Sequence, residues 1–113
     1  MIVPMTIEEF EKMLPKFFDR DTSIDPEGWN KENPFWGQSA LVSLLAQSLF
    51  HGYVWGAILK GVRFEKMNLH FWNVFPDGTE KDFTCSQFGE EYPVMLDVEW
   101  VGVASFTVGK NVL

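Results

Sequence analysis

Gln38 to Phe50 is the stretch around which the rest of this chain has to fold. Leu41, Leu44, Leu45, Ser48 and Leu49 recur at helical spacing, while Ala40, Val42 and Ala46 leave little polar surface on the remaining faces. His51-Gly52 supplies a C-terminal stop. A helix that is apolar nearly all round belongs at the centre of a domain, so the spacing predicts a central helix over 38–50 with Leu45 among its buried residues.

The chain divides around that helix. Thr6 followed by Glu9 forms a capping box, and Ile7, Phe10, Met13, Leu14 and Phe17 make an apolar stripe, which predicts a first helix over about 7–19. Pro15 inside it removes a donor and predicts a kink or break. Residues 20–36 are rich in turn formers and read as a loop. Its length suggests either a binding lid carrying Trp29, Phe35 and Trp36 or irregular chain whose aromatics plug the edge of the core. Beyond Gly52, aromatic and β-branched residues predict strands at about 53–60, 62–66, 68–75, 79–84 and 94–108, the last with a break near Gly102, and Pro76-Asp77-Gly78 is a hairpin turn. The expected class is α+β, a central helix packed on an antiparallel sheet, in a single domain spanning 1–113.

Composition narrows the function. With 113 residues and 46% apolar content there is enough to bury one core. A net charge of −7, with nine Lys and Arg scattered along the chain, argues against nucleic acid as a ligand. Apolar runs fall short of the roughly 18–20 residues of a membrane span, so no membrane association is expected. Cys85 is the only cysteine and has no internal disulfide partner, which together with the absence of a signal-peptide layout points to the cytoplasm. The two histidines show no zinc-site spacing and no Gly-rich phosphate loop is present, so no cofactor and no metal are expected. A monomer or weak dimer is expected.

The segment Asn33-Pro34-x-x-Gly37-Gln38-Ser39-Ala40-Leu41-Val42, then Gly52, His70-Phe71-Trp72-Asn73, Pro76-Asp77-Gly78 and Asp82-Phe83-Thr84-x-Ser86-Gln87-Phe88 resembles the YunG-like family of small bacterial proteins over about residues 29–88. Family members usually read Gly-Gln-Cys where this chain reads Gly-Gln-Ser. Their Cys, His, Asp order is similar to that of papain-like and transglutaminase-like thiol enzymes, which implies a papain-like minimal core and roles for Ser39, His70 and Asp82. Ser39 then stands where such enzymes keep a cysteine, as a working nucleophile, the relic of one, or an engineered replacement.

The residues themselves fit these roles. The free N–H groups and positive end of a helix stabilise a developing thiolate, and Ser39 opens the central helix. Its backbone N–H and the Gln38 amide are the expected oxyanion donors, His70 the base, and Asp82 the group that orients it. Trp36, Trp72 and Asn73 neighbour these positions and are candidates for the substrate site. Side chains alternate along a strand, so a two-residue Asp77-Gly78 loop would set Asp82 opposite Asn73, away from His70. A three-residue Pro76-Asp77-Gly78 loop sets it opposite Trp72, on the His70 face.

Each residue also has an ordinary reading. A serine at a helix start is commonly a cap, a strand histidine a satisfied core residue, and Asp82 a solvated acid. His51 complements a helix C-terminus, and Cys85 is a small hydrophobe without a helix dipole. Two functions follow. One is a thiol hydrolase or acyltransferase type acting on an amide or thioester of a peptide, protein or small acyl substrate, with Ser39 in the nucleophile position. The other is a non-catalytic binding or regulatory module that recognises a protein partner through Trp36, Trp72 and the 20–36 loop.

Overall fold

The computed structural model describes residues 5–101. Helix α1 spans Ile7–Met13, opened by the Thr6–Glu9 capping box with both reciprocal bonds made. It tightens into a 3₁₀ turn over Leu14–Lys16, because Pro15 cannot donate to the preceding turn. Helix α2 spans Ser39–Phe50. Four antiparallel strands follow: β1 Tyr53–Lys60, β2 Leu69–Val74, β3 Glu80–Lys81 and β4 Val94–Val101, in the order β3-β2-β1-β4. The part of the last expected strand beyond Val101 lies outside the described residues. No helix among the described residues is long and apolar enough to cross a membrane.

Two expected strands are corrected. Residues 62–66 form a 3₁₀ turn at Val62–Phe64, which drops Phe64 into the core. The 79–84 strand stops at Lys81, since Phe83 turns inward to meet Phe10 and Phe75.

Helix α2 is central through its small residues. Ser39, Ala40, Val42, Ser43 and Ala46 are buried, and Asn73 of β2 donates its Nδ2 to the Ser43 carbonyl at 3.0 Å. Small side chains allow the helix backbone to approach the strands closely. Leu41 and Leu44 are partly buried against the core, but Leu45 is 39% and Leu49 49% exposed, so the expectation that Leu45 is buried is wrong. Phe10, Leu14, Phe18, Val42, Ala46, Phe75 and Phe83 make one core beneath α1 and α2, and Trp36, Leu59, Phe64, Met67 and Phe88 make a second.

The 20–36 segment is fastened rather than lid-like. Ser23 Oγ donates to the Trp36 carbonyl at 2.7 Å, Ile24 N–H to Gly37 O at 3.1 Å, and Trp29 Nε1 to Pro34 O at 2.9 Å. Of the two readings of this loop, the one with aromatics plugging the core edge is the one that fits.

Candidate functional site

The hairpin between β2 and β3 sets the geometry. Asn73 lies opposite Lys81 and Val74 opposite Glu80. Phe75 N–H donates to Thr79 O at 2.9 Å, so the loop holds three residues, Pro76-Asp77-Gly78. Carrying this register one step on places Asp82 opposite Trp72, on the same face as His70 and diagonal to it. His70 Nε2 and Asp82 Oδ2 are 2.6 Å apart.

Asp82 is held from three sides. Oδ1 accepts from the Thr84 N–H at 3.1 Å, and Oδ2 accepts from Tyr92 OH at 3.3 Å as well as from His70. An ionised carboxylate only accepts, so Nε2 carries the proton in this pair and Nδ1 presents its lone pair in the neutral ring. Nδ1 is buried and has no hydrogen-bond partner. The ring is fixed by Phe88, edge-to-face at 4.8 Å, and by Trp72, stacked at 5.9 Å.

Ser39 arrives from the other side, as the first residue of α2. The alternating antiparallel ladder points the Phe71 N–H away from β1 toward the β3 side, where β3 has already ended. Ser39 Oγ takes that N–H at 3.2 Å, one peptide bond from His70. Its hydroxyl thus replaces a missing strand partner, and it makes no hydrogen bond to His70 Nδ1. Ser39 is 4% exposed and His70 fully buried. Among the described residues, two hollows reach this constellation at Asp82, one along Trp72, Glu80, Tyr92 and Met95 and another along Phe35, Phe83 and Cys85.

The other expected site residues are placed less favourably for substrate. Trp36 is buried and donates Nε1 to Asp25 Oδ2 at 2.9 Å, so it belongs to the second core and does not wall a cleft. Gln38 is fully buried, with Nε2 on the Asp19 carbonyl at 3.0 Å, which ties down the chain before α2. Asn73 is fully buried under α2. Trp72 alone among them lines open space, its Nε1 donating to Glu80 Oε1 at 3.1 Å.

Two residues escaped sequence reasoning. Gln87, also buried, accepts from Gly37 N–H at 3.2 Å through Oε1 and donates Nε2 to Thr84 O at 3.0 Å. It thereby links the turn before Ser39 to the residue that clamps Asp82. Gln87 lies in the same motif as Asp82, but its partner Gly37 is 50 positions away, so no local pattern announces the contact. The other is Tyr92. Burial, and next the Asp82 charge, push its phenol up to about 12. A phenol raised in the folded state adds stability that is intact below its unfolded pKa of about 10 and is lost as pH rises through the folded value. Spectrophotometric titration of phenolate is therefore expected to show a component near pH 12 that disappears in Tyr92→Phe. Its survival in that variant would place the charge-sensitive phenol elsewhere.

Burial, with Asp82 second, also raises the Cys85 thiol, which disfavours its thiolate. Among the described residues no group of three His, Cys, Asp or Glu could hold a metal ion.

A family model described as YunG protein matches residues 6–102. The chain belongs to the YunG family. The match extends beyond the motif-bearing 29–88 segment to take in α1 and β4. No curated protein and no solved structure matches this YunG-family chain.

Proposed function

We propose that this YunG-family chain carries an acyl-transfer site of papain-like layout whose nucleophile position holds serine, leaving it silent toward amides and thioesters until residue 39 is a thiol. The observation that carries this reading is the His70 ring. Its Nε2 is committed to Asp82 at 2.6 Å while Nδ1 stays buried without a partner, beside the peptide that Ser39 touches.

With a thiol at position 39, Nδ1 takes the S–H proton and the sulfur attacks the substrate carbonyl carbon. The C–N or C–S bond then breaks, and the imidazolium returns its proton to the departing nitrogen or sulfur. Water, deprotonated by the same nitrogen, releases the acyl group and restores the thiol. N–H groups of the first turn of α2 lack partners one turn back and suit the oxyanion. Serine resists the first step because a hydroxyl holds its proton far more tightly than a thiol.

The burial of Ser39 and His70 favours a second reading, a non-catalytic module that recognises a partner. One experiment separates them. Incubation of Ser39→Cys with a small acyl thioester is expected to give a mass increase of one acyl group at position 39, with none on the unaltered chain. A folded Ser39→Cys chain that stays unacylated, or is acylated only at Cys85, would contradict the acyl-transfer reading.

A further inference from the structure

On the sheet face that carries His70, two hollows of about 350 and 310 Å³ lie on either side of the Trp72–Glu80 pair. Asp82, Tyr92 and Met95 line the first; Trp55, Val74 and Val98 line the second. Trp55 and Trp72 are direct partners in the β1–β2 register, so their rings share this face. The lining offers two carboxylates, broad aromatic surface and no Lys, Arg or His among the described residues.

The two acids differ. Asp82 has both oxygens engaged by His70, Tyr92 and Thr84. Glu80 has one oxygen oriented by the Trp72 indole, and no cation pairs with it among the described residues. Lys81, next to Glu80 in the chain, is committed to Glu11 and the Phe83 ring. An oriented carboxylate with no cationic partner among the described residues, at the edge of a surface formed by two cross-strand tryptophans, is complementary to a cation on an apolar stem, because the rings and the carboxylate attract the charge while the rings cover the methylenes.

We infer that this cleft binds the protonated side chain of a lysine presented by a polypeptide, its ammonium on Glu80 and its stem along Trp72, Trp55 and Val98. The first hollow also borders Asp82, but the binding proposed here needs no chemistry at residue 39 and its test needs no turnover. The Trp72 indole N–H, bonded to Glu80, reports occupancy directly. Nα-acetyl-lysine methylamide is titrated into the full chain at neutral pH and low salt, and the Trp72 indole resonance, assigned through Trp72→Phe, is followed by NMR. The expected result is a saturable shift that the norleucine counterpart fails to produce and that Glu80→Gln, an exposed substitution, weakens at least tenfold. No shift, an equal response to norleucine, or unchanged affinity in Glu80→Gln would overturn the inference. Because the unaltered serine chain is used, failure here leaves acylation of Ser39→Cys unaffected, and the converse also holds.

Discussion

Phe88→Ala is expected to lower the unfolding free energy by about 3–5 kcal/mol, the usual range for removing a large buried ring. Phe88 is 1% exposed and meets three other rings, Phe64 at 5.6 Å, His70 at 4.8 Å and Tyr92 at 5.2 Å. Its loss removes both transfer energy and a wall of the second core, at the last residue of the 3₁₀ turn Cys85–Phe88. Such a loss is a large fraction of the roughly 5–15 kcal/mol available to a domain. Urea melts followed by tryptophan fluorescence would measure it, and a loss under about 1 kcal/mol would mean that Phe88 is not the packed centre described here. Since the ring also holds His70, a surviving Phe88→Ala chain should show a mobile imidazole.

Gly37→Ala is the second large effect, and it acts on the site more directly. Gly37 has φ +74°, a region that side chains with a Cβ rarely adopt, and an added Cβ would land on Ser23 Oγ while lying 3.1 Å from Ile24 N and 3.2 Å from Asp25 N. Strain at φ and overpacking each cost about 1–3 kcal/mol. Relief requires the 23–25 segment of the loop to move, which loosens the Gly37 N–H from Gln87 and the Ile24 N–H from Gly37 O. The start of α2 then shifts relative to Asp82. The expected outcome is a drop of about 2–4 kcal/mol in the same melts, together with loss of any reactivity conferred on position 39. A stability within 0.5 kcal/mol of the parent would show that the turn before Ser39 is slack, contrary to the structure.

What was legible in the sequence was whatever local chemistry dictates. The capping box at Thr6, the break at Pro15 and the stop at His51-Gly52 are properties of a few neighbouring residues, and α1 and α2 begin and end accordingly. The three-residue loop at Pro76-Asp77-Gly78 could be derived as the condition for pairing His70 with Asp82, although the sequence could not choose it over the two-residue turn. Burial of α2 was misread because leucine spacing and small-residue spacing point to different faces, and close approach to β2 favoured the alanines and serines. Val62–Phe64 looked strand-like by composition, but the position of Phe64 against Trp36 and Phe88 decided its conformation. Trp36 lay next to the site in sequence and was expected in it, whereas its indole N–H found Asp25, a partner no periodicity identifies. Gln87 and Tyr92 were missed for the same reason, since their contacts exist only once the loop, helix start and hairpin have met.

The central claim is that the fold holds residue 39 where a thiol would be activated by His70. It is tested most directly by the pH dependence of alkylation at position 39 in Ser39→Cys, read by mass spectrometry with Cys85 as internal control and His70→Ala as comparison. The account predicts a thiol that reacts well below the ordinary pKa of about 8.5 and ahead of Cys85, with the advantage lost when His70 is removed. A thiol at position 39 that titrates as an ordinary cysteine, or whose rate is indifferent to His70→Ala, would contradict it and leave the chain as a binding module.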